Sequence, residues 1–407
     1  MWNRKPLKEV AYTAGRIGWK GLTAKEYVAE GPYFLSVHSL NYGDFVDFRD
    51  AFNITQARYD ESPEIAVEAN DILICKDGAG IGKVGIVKDV EAPTTINSSL
   101  LLIRSLSEIY PKFLYHYLQS PFFQKIVQER IEGATTPHLY QREIKEFPVP
   151  IPELSEQQRI VAILDKAFAD IEKARANAEK NLKNARELFD SYLQQVFSQR
   201  GEGFIISKLS DLCLKITDGS HNPPKGLDIS NYLMLSSKNV FNDFIHTEKP
   251  RYLTESDFKS ENKRTEVKCG DVLLTIVGTI GRAAVVDDSL PAFTLQRSVA
   301  VLKPNRTKVL SRFLMYSLHS LLTQLFDEAR GVAQKGLYLK TLRGIEILVP
   351  PICEQQHIVA SLDILSDEVK QLEKCYQEKL VSLDELKKSL LQKAFSGELT
   401  QTEGHAA

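Results

Sequence analysis

The chain has 407 residues, enough for two or three domains with cores of their own, and its 43% hydrophobic and 26% charged residues are those of an ordinary globular protein. A net charge of −2 excludes a uniformly basic nucleic-acid binder. The five cysteines (Cys75, Cys213, Cys269, Cys353, Cys375) are scattered and odd in number, which excludes a disulfide framework or a zinc ribbon and points to reduced thiols in a cytoplasm. No uncharged apolar run reaches membrane-spanning length, so no membrane contact is expected. By segment the charge is about −3 over 1–154, 0 over 155–198, +5 over 199–353 and −4 over 354–407. Only the third segment carries the mild basic excess of a surface that meets phosphates.

In chain order, residues 1–154 read as a mixed domain. Short β-branched runs bounded by glycine, "DILIC" and "VGIVKDV", precede a helix around 111–130. "GAGIGK" (78–83) between them misses the phosphate-loop spacing by one residue, and Val84 stands where a magnesium-binding hydroxyl is required. It reads as a tight glycine turn joining two strands.

After "VPIP" (149–152) comes a proline-free stretch over 155–199, with Ser155 as a polar cap candidate. Ile160, Leu164, Ala167, Ile171, Ala174 and Ala178 step by four and three. Leu182 adds an extra four, and Ala185, Phe189, Tyr192 and Val196 resume the pattern. This is a coiled-coil seam with one stutter, on a helix of roughly 65 Å.

Residues 200–352 repeat the mixed pattern with "DVLLTIVG", "AAVV" and a helix around 310–329. "HNPPK" (221–225) lacks the aromatic of an adenine-flipping N-P-P loop, and no glycine-rich cofactor fingerprint lies upstream. A second helix fills 353–398, with its seam at Ile358, Leu362, Leu365, Val369, Leu372 and Tyr376 and its stutter at Leu380. Residues 399–407 read as a tail.

Laid over 354–396 without a gap, 156–198 is identical at 16 of 43 positions, beginning with "EQQ", "IVA" and "LD" in both copies. Fainter echoes precede each helix: "FLYHYLQS" (113–120) and "FLMYSLHS" (313–320), or Leu139-Tyr140 and Leu337-Tyr338. The expected fold is therefore α+β: two mixed α/β domains alternating with two long helices that pair as an antiparallel coiled coil, a pseudo-two-fold internal repeat. The shared stutter and the high effective concentration within one chain favour pairing inside the molecule.

This alternation, with "EQQRIVAILD", "GRIGWKG" (15–21), "DGSHNPP" (218–224) and "LLQKAFSGEL" (390–399), resembles the specificity subunit of type I restriction–modification enzymes, over essentially the whole chain. The resemblance implies a non-catalytic, cytoplasmic protein whose domains are target recognition domains. Each would read half of a split, asymmetric site on double-stranded DNA. The helices would set the unread gap and dock two modification (methyltransferase) subunits, alongside restriction (translocase) subunits. It implies no cofactor in this chain, with S-adenosylmethionine, ATP and magnesium held by the partners.

Polar loop residues with fixed donors and acceptors are the candidates for base and phosphate contact. In the first domain they are Arg16, Lys20, Lys76, Lys83, Asn97, Thr135, Thr136, His138 and Gln141. In the second they are Ser220, His221, Lys238, Arg282, Gln296, Arg297, Gln334 and Lys335. The recurring helix starts, Glu156, Gln157, Gln158 and Glu354, Gln355, Gln356, are candidates for partner docking, against a plainer role in capping the first turn. Two other functions compete: a coiled-coil adaptor whose domains bind proteins or peptides, and a self-contained modification enzyme, which the missing fingerprint disfavours.

Overall fold

A computed structural model describes residues 2–16, 22–131, 138–330 and 335–400. They form two compact units that cut across the long helices: residues 1–179 with 378–407, and residues 180–377.

In the first unit a four-stranded antiparallel sheet runs in the order Ala11–Ala14, Leu100–Ser105, Ile72–Cys75, Val84–Ile86. A three-stranded sheet sets Val28–Leu35 between Phe52–Asn53, antiparallel, and Thr94–Ile96, parallel. Ile72–Cys75, the central strand of the four-stranded sheet, is apolar at every position because both its faces are covered. Ile72 and Ile74 pack toward the helices with Phe113, Leu114 and Ile160, whereas Leu73 and Cys75 pack toward the second sheet with Leu35 and Ile96. The second unit repeats this order with Cys213–Asp218, Val299–Pro304, Val272–Thr275 and Ala283–Val285, and with Arg251–Leu253, Tyr232–Leu235 and Phe293–Leu295. The expected helix around 111–130 is two, Pro111–Gln119 and Pro121–Arg130, broken where proline cannot continue a helix.

The long helices span Leu154–Ser198 and Ile352–Ser396. In the first unit Lys387 lies 4.9 Å over the Phe168 ring, and farther along Arg175 pairs with Asp384. A step forward on one helix is thus a step back on the other, the antiparallel sense. In the second unit Arg186 pairs with Glu373 at 2.6 Å, and Leu193 shares a core with Leu362 and Ile358. Every seam position expected on the first helix is buried or half-buried. On the second, Leu372 departs from the expectation: it is 43% exposed, and the adjacent Glu373 faces the partner helix through its ion pair. Ser155 is not the cap either. The helix starts one residue earlier, and the carbonyl of Glu153 takes the first amides, from Glu156 and Gln157.

The "FSGEL" ending is a helix stop. Gly397 has a left-handed backbone (φ +85°), the amide of Glu398 returns to the carbonyl of Lys393, and Phe395 is buried edge-on to Phe113 and Tyr117.

Two contacts fasten each domain to its long helix, and both recur. Gln157 is fully buried; its amide oxygen accepts from the Tyr110 N–H at 2.8 Å, and its amide nitrogen donates to the carbonyls of Glu108 (3.0 Å) and Pro152 (2.9 Å). Gln355 does the same with Leu310 N–H (2.9 Å) and the carbonyls of Lys308 and Pro350 (2.9 Å each). Two turns later Asp165 accepts from Lys112 at 2.6 Å and contacts His116 at 3.1 Å. Asp363 accepts from Arg312 and from the Tyr316 hydroxyl, each at 2.6 Å. Lys387 adds a bond to Asp44 at 3.3 Å in the first unit, and Lys370 one to Asp243 at 2.6 Å in the second.

Gln355→Ala strands a buried amide and two carbonyls. It is expected to cost about 1–3 kcal/mol, whereas Gln356→Ala, on the exposed neighbour, stays within about 0.5 kcal/mol; denaturant unfolding distinguishes them. The bond from His116, with Lys112, holds the Asp165 carboxyl below its ordinary pKa. Its contribution is therefore present above the unfolded carboxylate pKa of about 4 and lost as pH falls through the lower folded value. The stability advantage of wild type over Asp165→Asn is expected at neutral pH and to shrink as pH falls below about 4, read by thermal unfolding across pH.

Candidate nucleic-acid interface

One end of the paired sheets gathers loops that are far apart in sequence. In the second domain the strands at 232–235 and 293–295 are parallel, so the loops after both leave at the same end. Backbone bonds tie three loops together there: Gln296 N–H to Leu235 O at 2.8 Å, Ser220 N–H to Leu295 O at 2.7 Å, and Arg297 N–H to Ser220 O at 2.8 Å. Ile276 N–H donates to Ser298 O at 2.9 Å and Leu337 N–H to Ile276 O at 2.8 Å, which adds the turn after Thr275 and the segment around 335–337. Ser220, His221, Lys238, Gln296, Arg297 and Lys335 thus share one loop cluster. Ser220 is buried in its base; His221, Lys238, Arg297 and Lys335 are exposed on it, and Gln296 is half-buried.

The first domain repeats the arrangement. Asn97 N–H donates to Leu35 O, Lys76 N–H to Ser99 O and Leu139 N–H to Lys76 O, each at 2.9 Å. Lys76, Asn97, His138 and Gln141 are brought together. His138 contacts Asp77, Lys76 pairs with the same aspartate at 3.3 Å, and Gln141 donates to Thr13 O at 3.2 Å.

The remaining candidates fall elsewhere. Arg16 lies at the base of this cluster but is only 3% exposed; it donates to Ile96 O at 3.2 Å and stands 5.6 Å over the Phe34 ring. Burial, with Arg58 nearby, lowers its pKa. Its guanidinium is buried inside the domain, with Nε bonded there and Nη1 without a partner among the described residues. Lys83 and Arg282 sit across their glycine turns, beside the long helices. Lys83 donates to Asn41 at 2.7 Å in a groove shared with Asp384, Lys387 and Lys388. Arg282 covers Phe241 at 4.9 Å in a cavity shared with Arg186 and Lys370. Lys20, Thr135, Thr136 and Gln334 lie outside the described residues.

The helix-start candidates separate by burial. Gln157 and Gln355 are fully buried struts, which corrects the expectation that they dock a partner: no amide atom is left to offer one. Gln158, Glu354 and Gln356 are exposed and Glu156 is half-buried.

Three cations escaped the sequence reading. Lys249 and Arg251 line a groove with Lys238 and Gln296, and Arg264 joins His221 (2.8 Å from Asp218) around the nearly buried Asp218 carboxylate. "KPR" at 249–251 is the one local signal; Arg264 comes from a helix, where it reads as a solvated face.

The glycine turn at 78–83 connects strands. The amides of Ile81, Gly82 and Lys83 donate to Gly78, Cys75 and Gly80, so they are not free to cradle a phosphate. Among the described residues, no three His, Cys, Asp or Glu side chains gather as a metal cage requires, and no helix is long and apolar enough to cross a membrane.

The profile of the type I restriction modification DNA specificity domain matches residues 2–180 and 207–380, one match on each domain. Over 348 residues the chain is 26% identical to the type I restriction enzyme EcoBI specificity subunit of Escherichia coli, covering 76% of this chain and 70% of that one. It is 23% identical to the MjaIX specificity subunit of Methanocaldococcus jannaschii, covering 98% and 93%. Two solved structures share the fold. One, from work on complex assembly and conformational transition of the type I restriction–modification system, has a TM-score of 0.78 at 22% identity, with 98% of each chain covered. The other, the HsdS subunit from Thermoanaerobacter tengcongensis, has a TM-score of 0.58 at 20% identity, covering 98% and 97%. With a matched domain ahead of each repeated helix, this chain belongs to the DNA specificity family of type I restriction–modification systems.

Proposed function

We propose that each loop cluster reads one half of a split, asymmetric site on double-stranded DNA. The observation that carries this is one backbone frame bearing different side chains. Asn97 and Gln296 occupy the same address, each amide bonded to the end of the neighbouring strand, at Leu35 and Leu235. Lys76 and Ile276 likewise share an address. A common frame with exchanged donors and acceptors is what two different base sequences require, because bases are told apart by the donor and acceptor pattern on their edges.

The paired helices set the unread gap. Half-sites presented on one face of the duplex lie about one turn apart, ~10 bp centre to centre. The recurring exposed helix-start residues, Gln158, Glu354 and Gln356 with half-buried Glu156, are the places where two identical modification subunits dock. Those partners hold S-adenosylmethionine and transfer the methyl group, and restriction subunits hold ATP and magnesium. This chain contributes recognition and no catalytic group. The net acidic first domain, at about −3, assigns part of the DNA affinity to the partners.

Arg297→Ala, in complex with a modification subunit, is expected to lose about 1–3 kcal/mol of discrimination at one base pair of one half-site. The other half and the gap should not change. Competition binding with duplexes substituted one pair at a time measures this; relaxation of both halves, or of neither, contradicts the assignment.

A further inference from the structure

We infer that Tyr140 and Tyr338 are matched, sequence-independent contacts to the DNA backbone, each phenol donating a hydrogen bond to a phosphate of its own half-site. This rests on the reading that the loop clusters face DNA.

Two domains that read different sequences should differ where they read and agree where they hold. Most residues they share at the loop end have work inside the protein. Ser36 and Ser236 accept the amides of His38 and Lys238 to close turns. Gly78 and Gly278 take left-handed conformations (φ +77° and +85°) that other residues rarely adopt. Leu139 and Leu337 are 0% and 3% exposed and plug the cores.

The tyrosines that follow those leucines are different. Tyr140 is 39% exposed and Tyr338 64%, so neither ring is part of a core. Yet their backbones are fixed alike. Each immediately precedes a short helix, with φ/ψ of −71°/139° and −76°/142°. Each also follows a leucine whose amide is bonded to the turn after the central strand, at Lys76 and Ile276. An exposed aromatic placed twice at one address, on a frame whose neighbours are exchanged, serves something the two half-sites have in common. Duplex DNA of any sequence offers the sugar–phosphate backbone, and tyrosine hydroxyls are among its usual donors.

The surroundings suit a phosphate. The Arg142 guanidinium lies 4.8 Å over the Tyr140 ring, and the His138 ring meets it edge-on at 4.4 Å, in contact with the Lys76–Asp77 pair. In the second domain the exposed Lys335 stands three residues before Tyr338.

The test uses the full chain in complex with a modification subunit and the variants Tyr140→Phe, Tyr338→Phe and both together. Phenylalanine keeps the ring and removes only the hydroxyl, and unfolding temperatures check that each variant is folded. Binding is measured on a cognate duplex and on one with both half-sites scrambled. Each single variant is expected to weaken both duplexes by the same factor, about tenfold for a hydrogen bond to a charged oxygen. The double variant should lose the product, with the methylated motif unchanged. Unaltered affinity, or a loss confined to the cognate duplex, overturns the inference. A wild-type complex that shows no preference between the duplexes would instead overturn the reading of function on which it rests.

Discussion

The buried glutamine that immediately follows each helix-start glutamate fixes how a domain is held on its long helix. An amide side chain with no access to water must satisfy both its donors and its acceptor within the protein, and Gln157 and Gln355 do so with three backbone groups each. Two of the three belong to the segment leading into the domain's helix and one to the lead of the long helix itself. The side chain therefore holds the angle between domain and rod. Asp165 and Asp363, two turns on, fix a second point of attachment. Two fastenings on one helix face leave a domain little freedom to swivel on its helix.

What the rod carries is a frame whose loops can change while its strands do not. The two sheet orders are the same, the central strands are buried on both faces, and the loop cluster is closed by backbone bonds at equivalent places. Because those bonds use main-chain groups, side chains at the same addresses are free to differ. Under the proposed function, specificity rests on a few exposed polar residues over a shared geometry, apart from stability, which resides in the cores and the helix fastenings.

Much of this was legible in the sequence. The four-and-three apolar stepping gave the long helices and their seams, because a helix that buries one stripe along a rod has no other way to be written. At Leu372 the periodicity misleads: the leucine is 43% exposed and the adjacent Glu373 faces the partner helix in an ion pair with Arg186, a local change of face that apolar stepping does not register. The glutamine of "EQQ" looked like a surface feature because glutamine is usually exposed; its burial depends on backbone groups some 47 residues before it, beyond any local pattern. Lys83 and Arg282 were grouped with the reading loops because a glycine turn marks a loop without saying which side it faces. The structure turns both toward the long helices. Arg264 was missed for the converse reason: a helix from elsewhere in the domain delivers it to the loop cluster.

The most direct measurement is modification-sensitive sequencing of DNA from cells that co-express a modification subunit with this chain, and with a variant whose two long helices are lengthened equally. The account predicts methylation at a motif of two short halves around an unread gap, and the same halves around a wider gap in the variant. A contiguous motif, or a gap that stays the same when the helices are lengthened, would contradict it.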